Sequence, residues 1–244
     1  MNPEEYKNLA TVEQNHWYYS GKRKIVSHWM RESGHLTRDS LLLDCGAGTG
    51  AFAAEMQSQC RVFASDDYAE SLAILRDRLG EERVIAASCT NLPLPDNKFD
   101  FVTALDVLEH IEDDSRALSE MYRVTKPGGM VIITVPALMS LWSDWDVTLR
   151  HFRRYDRKSL NILVDQYSFQ TIILNYMNFW AFPVVWALRR LRGRGNAESK
   201  KRAEDKIPRN PFNSLLRSIF IWSSCQRFIK WPFGVGLLAV LVKK

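Results

Sequence analysis

Residues 41–50 are LLLDCGAGTG, a short apolar run that ends in an acid and continues into a turn with three glycines. The apolar run predicts a buried strand, and a helix is predicted to begin at Gly50. Glycines let the backbone turn tightly and approach a ligand closely, and the first N–H groups of the helix are free to bind it. The turn therefore predicts a nucleotide or nucleoside site.

Short apolar runs alternate with helical patterns around this turn. Strands are predicted at 40–45, 61–65, 83–87, 99–105 and 130–135, and helices at 50–59, 69–79 and 113–125. This alternation is typical of βαβ units with a parallel sheet. The pattern predicts an α/β fold, Rossmann-like and doubly wound.

The second half of the chain is less regular. We expect a long aromatic connection at 137–157, helices at 158–166, 179–191 and 212–230, strands at 169–175 and 236–242, and a basic linker at 192–210. The two most apolar stretches, 179–188 and 235–242, are too short to span a bilayer. The pattern predicts a protein that does not cross a membrane.

Composition limits the class of protein. The 244 residues suit one domain, and 46% hydrophobic with 25% charged residues excludes collagen-like, disordered and disulfide-scaffold proteins. The four cysteines are scattered without a C-x-x-C pair, which argues against structural zinc and favours a reducing compartment. The polar N-terminus lacks a secretory pattern, so we expect a cytoplasmic protein.

Four segments carry a resemblance to a known family: LLLDCGAGTG, VFASDD, NLPLPDNKFDFVTALDVLEHIEDD and MYRVTKPGGMVIITVP. They cover most of residues 41–136 and resemble, in order and spacing, the class I S-adenosylmethionine-dependent methyltransferases, in particular the type 11/12 small-molecule group. HWYYSGKRKI (16–25) and HFRRY (151–155) are similar to a subgroup that acts on glycolipids, polysaccharide precursors or other secondary metabolites.

The resemblance implies a mostly parallel seven-stranded sheet with helices on both faces and S-adenosylmethionine as the cofactor. It also implies direct, in-line methyl transfer to a small-molecule or lipid-linked acceptor. We expect one methyltransferase domain over 1–244, with an N-terminal helical cap (1–39), a cofactor-binding core (40–136) and a substrate-side C-terminal region (137–244).

The resemblance assigns cofactor contacts to individual residues. Asp44 would orient the turn and help hold the methionine amino group, with the backbone of Gly46, Ala47 and Gly48 against the cofactor. Asp66 would bind the ribose with Asp67 beside it, and Leu105 and Asp106 match the positions where the methyl group and acceptor meet. Ser88 and Cys89 stand where the family often has an acid followed by Ala, so the charged contact to adenine is missing.

Histidines are the candidates for a base that takes the proton of the acceptor. His110 follows the acceptor edge of the sheet, and His151 lies in the aromatic connection; the alternative for each is a structural role. Asp106, Glu109 and His110 stand at i, i+3 and i+4 and on a helix could bind a divalent cation. Glu109 and His110 can equally brace the short helix, and we expect no metal.

Charge predicts a partner for the second half. Residues 1–150 hold 15 Lys and Arg against 23 Asp and Glu, a net charge of −8, whereas residues 151–244 hold 18 against 5, a net charge of +13. We expect the C-terminal third to dock on an anionic inner membrane surface, and the alternative is a solvated basic face. Nucleic acid is not expected as a partner, because no RNA-binding module is visible. No pattern indicates an oligomeric state.

Three other functions stay open at this point. Loss of the adenine contact at Ser88 would favour a non-catalytic S-adenosylmethionine-binding regulatory protein. Gly46, Gly48 and Ala51 also fit the relaxed dinucleotide fingerprint of a nicotinamide-dependent oxidoreductase. RNA methylation is the third alternative.

Overall fold

The computed structural model describes residues 11–191 and 207–244, and its centre is one sheet of seven strands. The strands are β1 (Leu41–Cys45), β2 (Arg61–Asp66), β3 (Val84–Ala86), β4 (Phe99–Leu105), β5 (Thr125–Pro136), β6 (Phe169–Met177) and β7 (Gly236–Lys243). The helices are α1 (Trp17–Glu32), α2 (Ala51–Met56), α3 (Ala69–Leu79), α4 (Asp114–Val124), α5 (Asp144–Thr148), α6 (Arg157–Val164), α7 (Phe182–Leu191) and α8 (Phe212–Ser224).

The strand order is β3-β2-β1-β4-β5-β7-β6, which confirms the predicted fold class. The first five strands pair in parallel, and β7 is inserted antiparallel between β5 and β6. The order reverses between β1 and β4, and in doubly wound sheets a ligand crevice lies at the carboxyl ends of the strands at this point. The topology therefore places the glycine turn after β1 at that crevice.

The core lies on both faces of the sheet because successive side chains of a strand point to opposite faces. Leu43 packs with α4 and α6 on one face, and its neighbour Leu42 packs with α1, α2, α3 and α8 on the other. The inner parallel strands are covered on both sides, which explains their continuous apolar runs in the sequence. The helices thus lie on both faces, as expected.

Most predicted elements are found within a few residues, with two informative differences. The connection at 137–157 contains α5, which begins with a capping box formed by Ser143 and Asp146. The prediction that the last helix continues to residue 230 is wrong, because α8 ends at Ser224. Beyond it, Asn175 of β6 bonds the backbone of Ile229 and Trp231 at 2.6 and 3.0 Å, which holds the chain against the sheet instead.

Two other predictions fall partly outside the described residues. The basic linker at 192–210 is described only from residue 207, and the N-terminal cap at 1–39 only from residue 11. Within the described ranges, no helix combines the length and apolarity needed to span a membrane.

The helix α1 crosses the crevice because it packs on α8. The Tyr18 ring stacks on Phe220 at 5.4 Å between ring centroids. Gly21 allows this close approach, since a Cβ atom there would lie 2.8 Å from the Phe220 ring. The packing places the next residue, Lys22, at the end of β4.

Candidate active site

A cleft of about 540 Å³ opens at the carboxyl ends of β1, β2 and β4, below α1 and α7. Every residue that the sequence predicts for the site lines this cleft: Asp44, Gly46, Ala47, Gly48, Asp66, Asp67, Ser88, Cys89, Leu105, Asp106, His110 and His151. Their individual roles stay predictions.

The glycine turn has a backbone shape that requires glycine. Gly46, Gly48 and Gly50 have φ angles of +62°, +56° and +73°, in the left-handed region that residues with a Cβ atom rarely adopt. Asp66 fastens the turn to β2, because its carboxylate accepts hydrogen bonds from the backbone N–H of Gly48 at 2.9 Å and of Tyr68 at 3.0 Å. A carboxylate has further lone pairs, so Asp66 can still accept bonds from a ligand hydroxyl.

Asp44 is a buried carboxyl group at the base of the cleft, with 3% of the residue exposed. Burial raises its pKa to about 7, although the Thr103 hydroxyl, which donates to Oδ1 at 2.7 Å, acts in the opposite direction. Nearby Asp66 raises it further. The site therefore contains an acid that is ionised only with difficulty and that a bound cation would stabilise.

The predicted adenine side is neutral. The Ser88 hydroxyl lies 3.0 Å from that of Thr90, and Cys89 is buried beside it. Burial, followed by the charge of Asp66, raises the pKa of the neighbouring acid Asp67. The family often has an acid where this chain has Ser88. Among the described residues that line the cleft beside Ser88 and Cys89, no acid takes its place.

The end of β4 holds a partly buried ion pair that sequence reasoning missed. Lys22 bonds the carboxylate of Asp106 and lies 4.5 Å from the centre of the Tyr18 ring. Burial alone would lower the pKa of Lys22, but Asp106 outweighs it and the pKa is raised. Asp106 has a φ of +57° and also accepts from the Thr134 hydroxyl at 3.0 Å, so its position is tightly defined.

The two predicted histidines meet in the cleft although they are far apart in the chain. Their rings lie 4.6 Å apart at 84°. Burial, and then the charge of His151, lowers the pKa of His110 to about 4, so His110 is neutral near pH 7. His151 Nδ1 lies 2.9 Å from a buried carboxylate oxygen of Asp146.

Asp146 joins the segments that roof the cleft. It accepts from Arg154 Nε at 2.7 Å and lies 3.7 Å from Arg189 of α7. Burial opposes ionisation of Asp146, but the His151 hydrogen bond and Arg154 outweigh it and hold the pKa well below its usual value.

The side chain of Glu109 is buried, and its carboxylate bonds the backbone of Glu109 itself. Whether it braces the short helix stays a prediction. Residues 108–110 form a single 3₁₀ turn, and only 1% of Glu109 is exposed. Its Oε2 atom has no hydrogen-bond partner among the described residues. Burial, with Asp106 next, raises its pKa well above the usual value.

The acid and histidine cluster also differs from the expected one. Asp106 is held by Lys22, whereas Glu109, His110 and His151 offer ligand atoms that all lie within 4.8 Å of one another. The sequence pattern pointed to Glu109 and His110, but only the fold adds His151.

Of the aromatic residues in the 137–157 connection, Trp145 lines the cleft, while Tyr155 packs in the core and Phe152 is exposed.

Comparisons with known proteins agree with this geometry. Residues 43–133 match the family described as "Methyltransferase domain". A ubiquinone/menaquinone biosynthesis C-methyltransferase of Neisseria meningitidis is 32% identical over 122 residues, 47% of this chain and 50% of that protein. A "Probable S-adenosylmethionine-dependent methyltransferase" of Mycolicibacterium smegmatis is 28% identical over 161 residues, 65% of this chain and 61% of that protein.

The fold extends the similarity beyond the matched segment. A solved structure from Thermotoga maritima, titled an S-adenosylmethionine-dependent methyltransferase and "possible histamine N-methyltransferase", aligns with a TM-score of 0.61 at 18% identity, covering 99% of this chain and 95% of that one. The chain spans about half the length of the curated relatives it matches. Residues 43–133 therefore match a methyltransferase domain, and the fold around them is similar to that of a solved methyltransferase structure.

Proposed function

We propose that the protein transfers a methyl group from S-adenosylmethionine to a lipid-linked acceptor that reaches the cleft from a membrane surface. The observation that supports the transfer most directly is the single cleft in which the glycine turn, the acids of β1 and β2 and the end of β4 meet. The exposed surface beside this cleft supports the acceptor class.

The residues of the cleft suit the cofactor. Asp44, Asp66 and Asp67 make no ion pair with any described residue, so they are available to an ammonium group and to hydroxyls. At Gly46 a Cβ atom would lie 2.8 Å from the Val107 side chain, so the backbone can pack this closely only with glycine. In this proposal Asp44 holds the methionine amino group, Asp66 the ribose, and Ser88 and Cys89 the adenine edge.

S-adenosylmethionine supplies a methyl group already activated by its sulfonium, so the acceptor forms its bond to the methyl carbon as the carbon–sulfur bond breaks, and that electron pair stays on sulfur. The protein contributes alignment, which replaces the entropy lost when two molecules meet. Asp106 and Lys22 define the floor beside Leu105, and His110 and His151 lie where the acceptor must give up its proton.

An exposed apolar surface lies next to the cleft. It consists of side chains of α7, of α8 and of the loop after α8: Val184, Trp186, Leu188, Phe212, Leu215, Trp222, Phe228, Ile229 and Phe233. Phe228 is 94% exposed. The loop connects the two helices, because Phe233 contacts Phe182 of α7 and Trp231 Nε1 bonds Ser223 of α8. Clustered apolar side chains of this kind mark a membrane or protein contact.

Charge favours a membrane as the partner of this surface. Residues 182–191 and 207–233 hold six Lys and Arg and no Asp or Glu. Each basic residue near an anionic bilayer contributes about 1 kcal/mol, and exposed aromatic side chains insert at the interface.

The helix α7 connects this surface to the cleft. Ala181, Val185 and Arg189 line the cleft, whereas Val184, Trp186 and Leu188 face solvent. An acceptor whose chain stays in the bilayer can therefore present its head group along α7 to the end of β4.

Cofactor binding is tested with S-adenosylhomocysteine, the product of transfer. A ligand at 100 times its dissociation constant stabilises the folded state by about 2.7 kcal/mol, so saturating S-adenosylhomocysteine should raise the melting temperature by several degrees. NADH serves as the control and should have no effect. Absence of any rise with S-adenosylhomocysteine would overturn the proposal.

Membrane docking is tested by co-sedimentation with vesicles of phosphatidylcholine and phosphatidylglycerol. We expect binding that falls with added salt and is lost on pure phosphatidylcholine. Phe228→Ser should weaken it about tenfold or more, since one buried aromatic side chain contributes roughly 1.5–3 kcal/mol. Ile162→Ser, which changes an exposed apolar residue of α6, is the matched control and should bind normally. Equal binding by both variants would contradict this surface.

A further inference from the structure

We propose that Glu109, His110 and His151 bind one first-row divalent transition-metal ion on the acceptor side of the cleft. Their three ligand atoms lie within 4.8 Å of one another. Bonds of about 2.0–2.2 Å to a single ion place its ligand atoms roughly 3–4 Å apart. Small side-chain rotations are therefore enough to close the group around an ion.

The imidazoles are already oriented as metal ligands usually are. A ligating histidine normally bonds a carboxylate or backbone carbonyl through its other ring nitrogen, which fixes the tautomer. His151 Nδ1 does so with Asp146 at 2.9 Å, which leaves Nε2 for an ion. For His110 the backbone of Leu149 is the hydrogen-bond partner of the ring.

Glu109 supplies the second, independent observation. A carboxylate buried away from water needs a hydrogen bond or a cation, and its Oε2 atom has neither among the described residues. The cations nearby are engaged elsewhere, because Lys22 pairs with Asp106 and Arg154 pairs with Asp146. A divalent ion would complete the charge balance that these pairs leave open at Glu109.

The donor set selects the kind of ion. Two imidazole nitrogens and one carboxylate oxygen suit zinc, iron, cobalt or manganese, whereas magnesium and calcium prefer oxygen ligands. Three protein ligands also leave coordination positions open for water or for an oxygen atom of a substrate. In this arrangement the two histidines act as ligands. The ion would lower the pKa of an acceptor hydroxyl, and the proton of that hydroxyl would pass to solvent water as the oxygen takes the methyl group.

The action of the ion on the acceptor rests on the proposed methyl transfer, whereas the existence of the ion site does not. This action narrows the acceptor to a molecule that presents an oxygen atom, such as a hydroxyl group, beside Leu105 and Asp106. The ion and S-adenosylhomocysteine would occupy different parts of the cleft, so their binding can be measured separately.

The experiment is a titration of chelator-stripped full-length protein with Co²⁺, followed by its visible absorption. We expect saturation at one ion per chain, competition by Zn²⁺, and binding at least tenfold weaker in Glu109→Gln and in His151→Gln. Glu112→Gln and His35→Gln change exposed residues elsewhere and should bind Co²⁺ normally. Melting curves of each variant establish that it is folded before it is titrated.

Two results would overturn the site: no Co²⁺ spectrum in the stripped protein, or a spectrum that Glu109→Gln and His151→Gln leave unchanged. The S-adenosylhomocysteine melting shift is measured on the same samples. A shift without Co²⁺ binding removes the ion site and leaves the proposed function standing. Co²⁺ binding that depends on Glu109 and His151, without a shift, supports the ion site and removes the proposed function.

Discussion

Asp44 is a residue of the site whose ionisation lowers the stability of the folded protein. The folded protein raises its pKa to about 7 because burial disfavours the charge, whereas in the unfolded chain the group titrates near 3.8. Ionising Asp44 in the folded state is therefore costly. A cationic ligand would recover that energy, which is a reason for such a group to lie in a binding cleft.

Replacement of Asp44 should make this cost visible. An acid whose pKa is raised by folding is neutral in both states below pH 4, and it progressively destabilises the folded protein between pH 4 and 7. Asp44→Asn, which can still accept from Thr103, should therefore stabilise the ligand-free protein above pH 7 by roughly 2–4 kcal/mol and have little effect near pH 4. Melting temperatures at the two pH values measure the difference.

The control for this change is Asp77→Asn, an exposed acid of α3. It should alter the melting temperature equally little at both pH values. An Asp44→Asn effect of the same size at pH 4 and pH 8 would show that ionisation of Asp44 is not the cause.

The turn between β1 and α2 is the element that shapes the cofactor side. Its three glycines adopt left-handed backbone angles, and the closest neighbour of Gly46 is Val107, after β4. The left-handed backbone and the close packing against Val107 thus both require glycine at position 46. This agreement explains why the turn could be recognised from sequence.

Gly46→Ala should destabilise the protein by roughly 2–4 kcal/mol and remove S-adenosylhomocysteine binding. Left-handed backbone costs an alanine about 1–2 kcal/mol, and a Cβ atom 2.8 Å from the Val107 methyl groups adds overpacking of about 1–3 kcal/mol. Denaturant unfolding and the ligand-induced melting shift measure the two effects.

Gly128→Ala separates the two causes. Gly128 has a φ of +78°, but a Cβ atom there would meet nothing within 4 Å. This variant should lose only the backbone share, about 1–2 kcal/mol, and keep its affinity for S-adenosylhomocysteine. Equal losses in both variants would contradict a specific contact at Gly46.

For the whole molecule, Asp146 is the residue that joins distant segments over the cleft. It bonds His151 and Arg154 of the connection after β5 and approaches Arg189 of α7. The connection and the helix beside the apolar surface are therefore linked through one buried carboxylate.

Asp146→Asn should lower stability by about 3–5 kcal/mol, because removing one partner leaves buried cations without a counter-charge. It should also loosen the roof of the cleft, so proteolysis within 137–157 should become faster. Asp144→Asn, on the same helix, removes an acid that makes no ion pair with described residues and should cost less than about 1 kcal/mol. Equal stability of the two variants would show that the network has no such role.

Much of the cofactor side could be predicted from local patterns. Asp44, Gly46 and Asp66 each lie at or just after the end of a strand that periodicity identifies, and parallel strands bring their carboxyl ends to one edge. The acceptor side of the cleft could be predicted less well from sequence. Nothing near Lys22 in the chain indicates that it pairs with Asp106, 84 residues away. The same holds for the antiparallel insertion of β7 between β5 and β6, which no local pattern predicts.

The chain alone was enough to specify the α/β alternation, the glycine turn and the acids at the ends of two strands, because each depends on residues close together in sequence. The fold had to supply the rest: the Lys22–Asp106 pair, the cluster of Glu109, His110 and His151, and the exposed apolar surface beside α7. These features depend on which helices and connections pack over the sheet. Such packing arises from many weak contacts between distant residues, and no short segment of sequence records it.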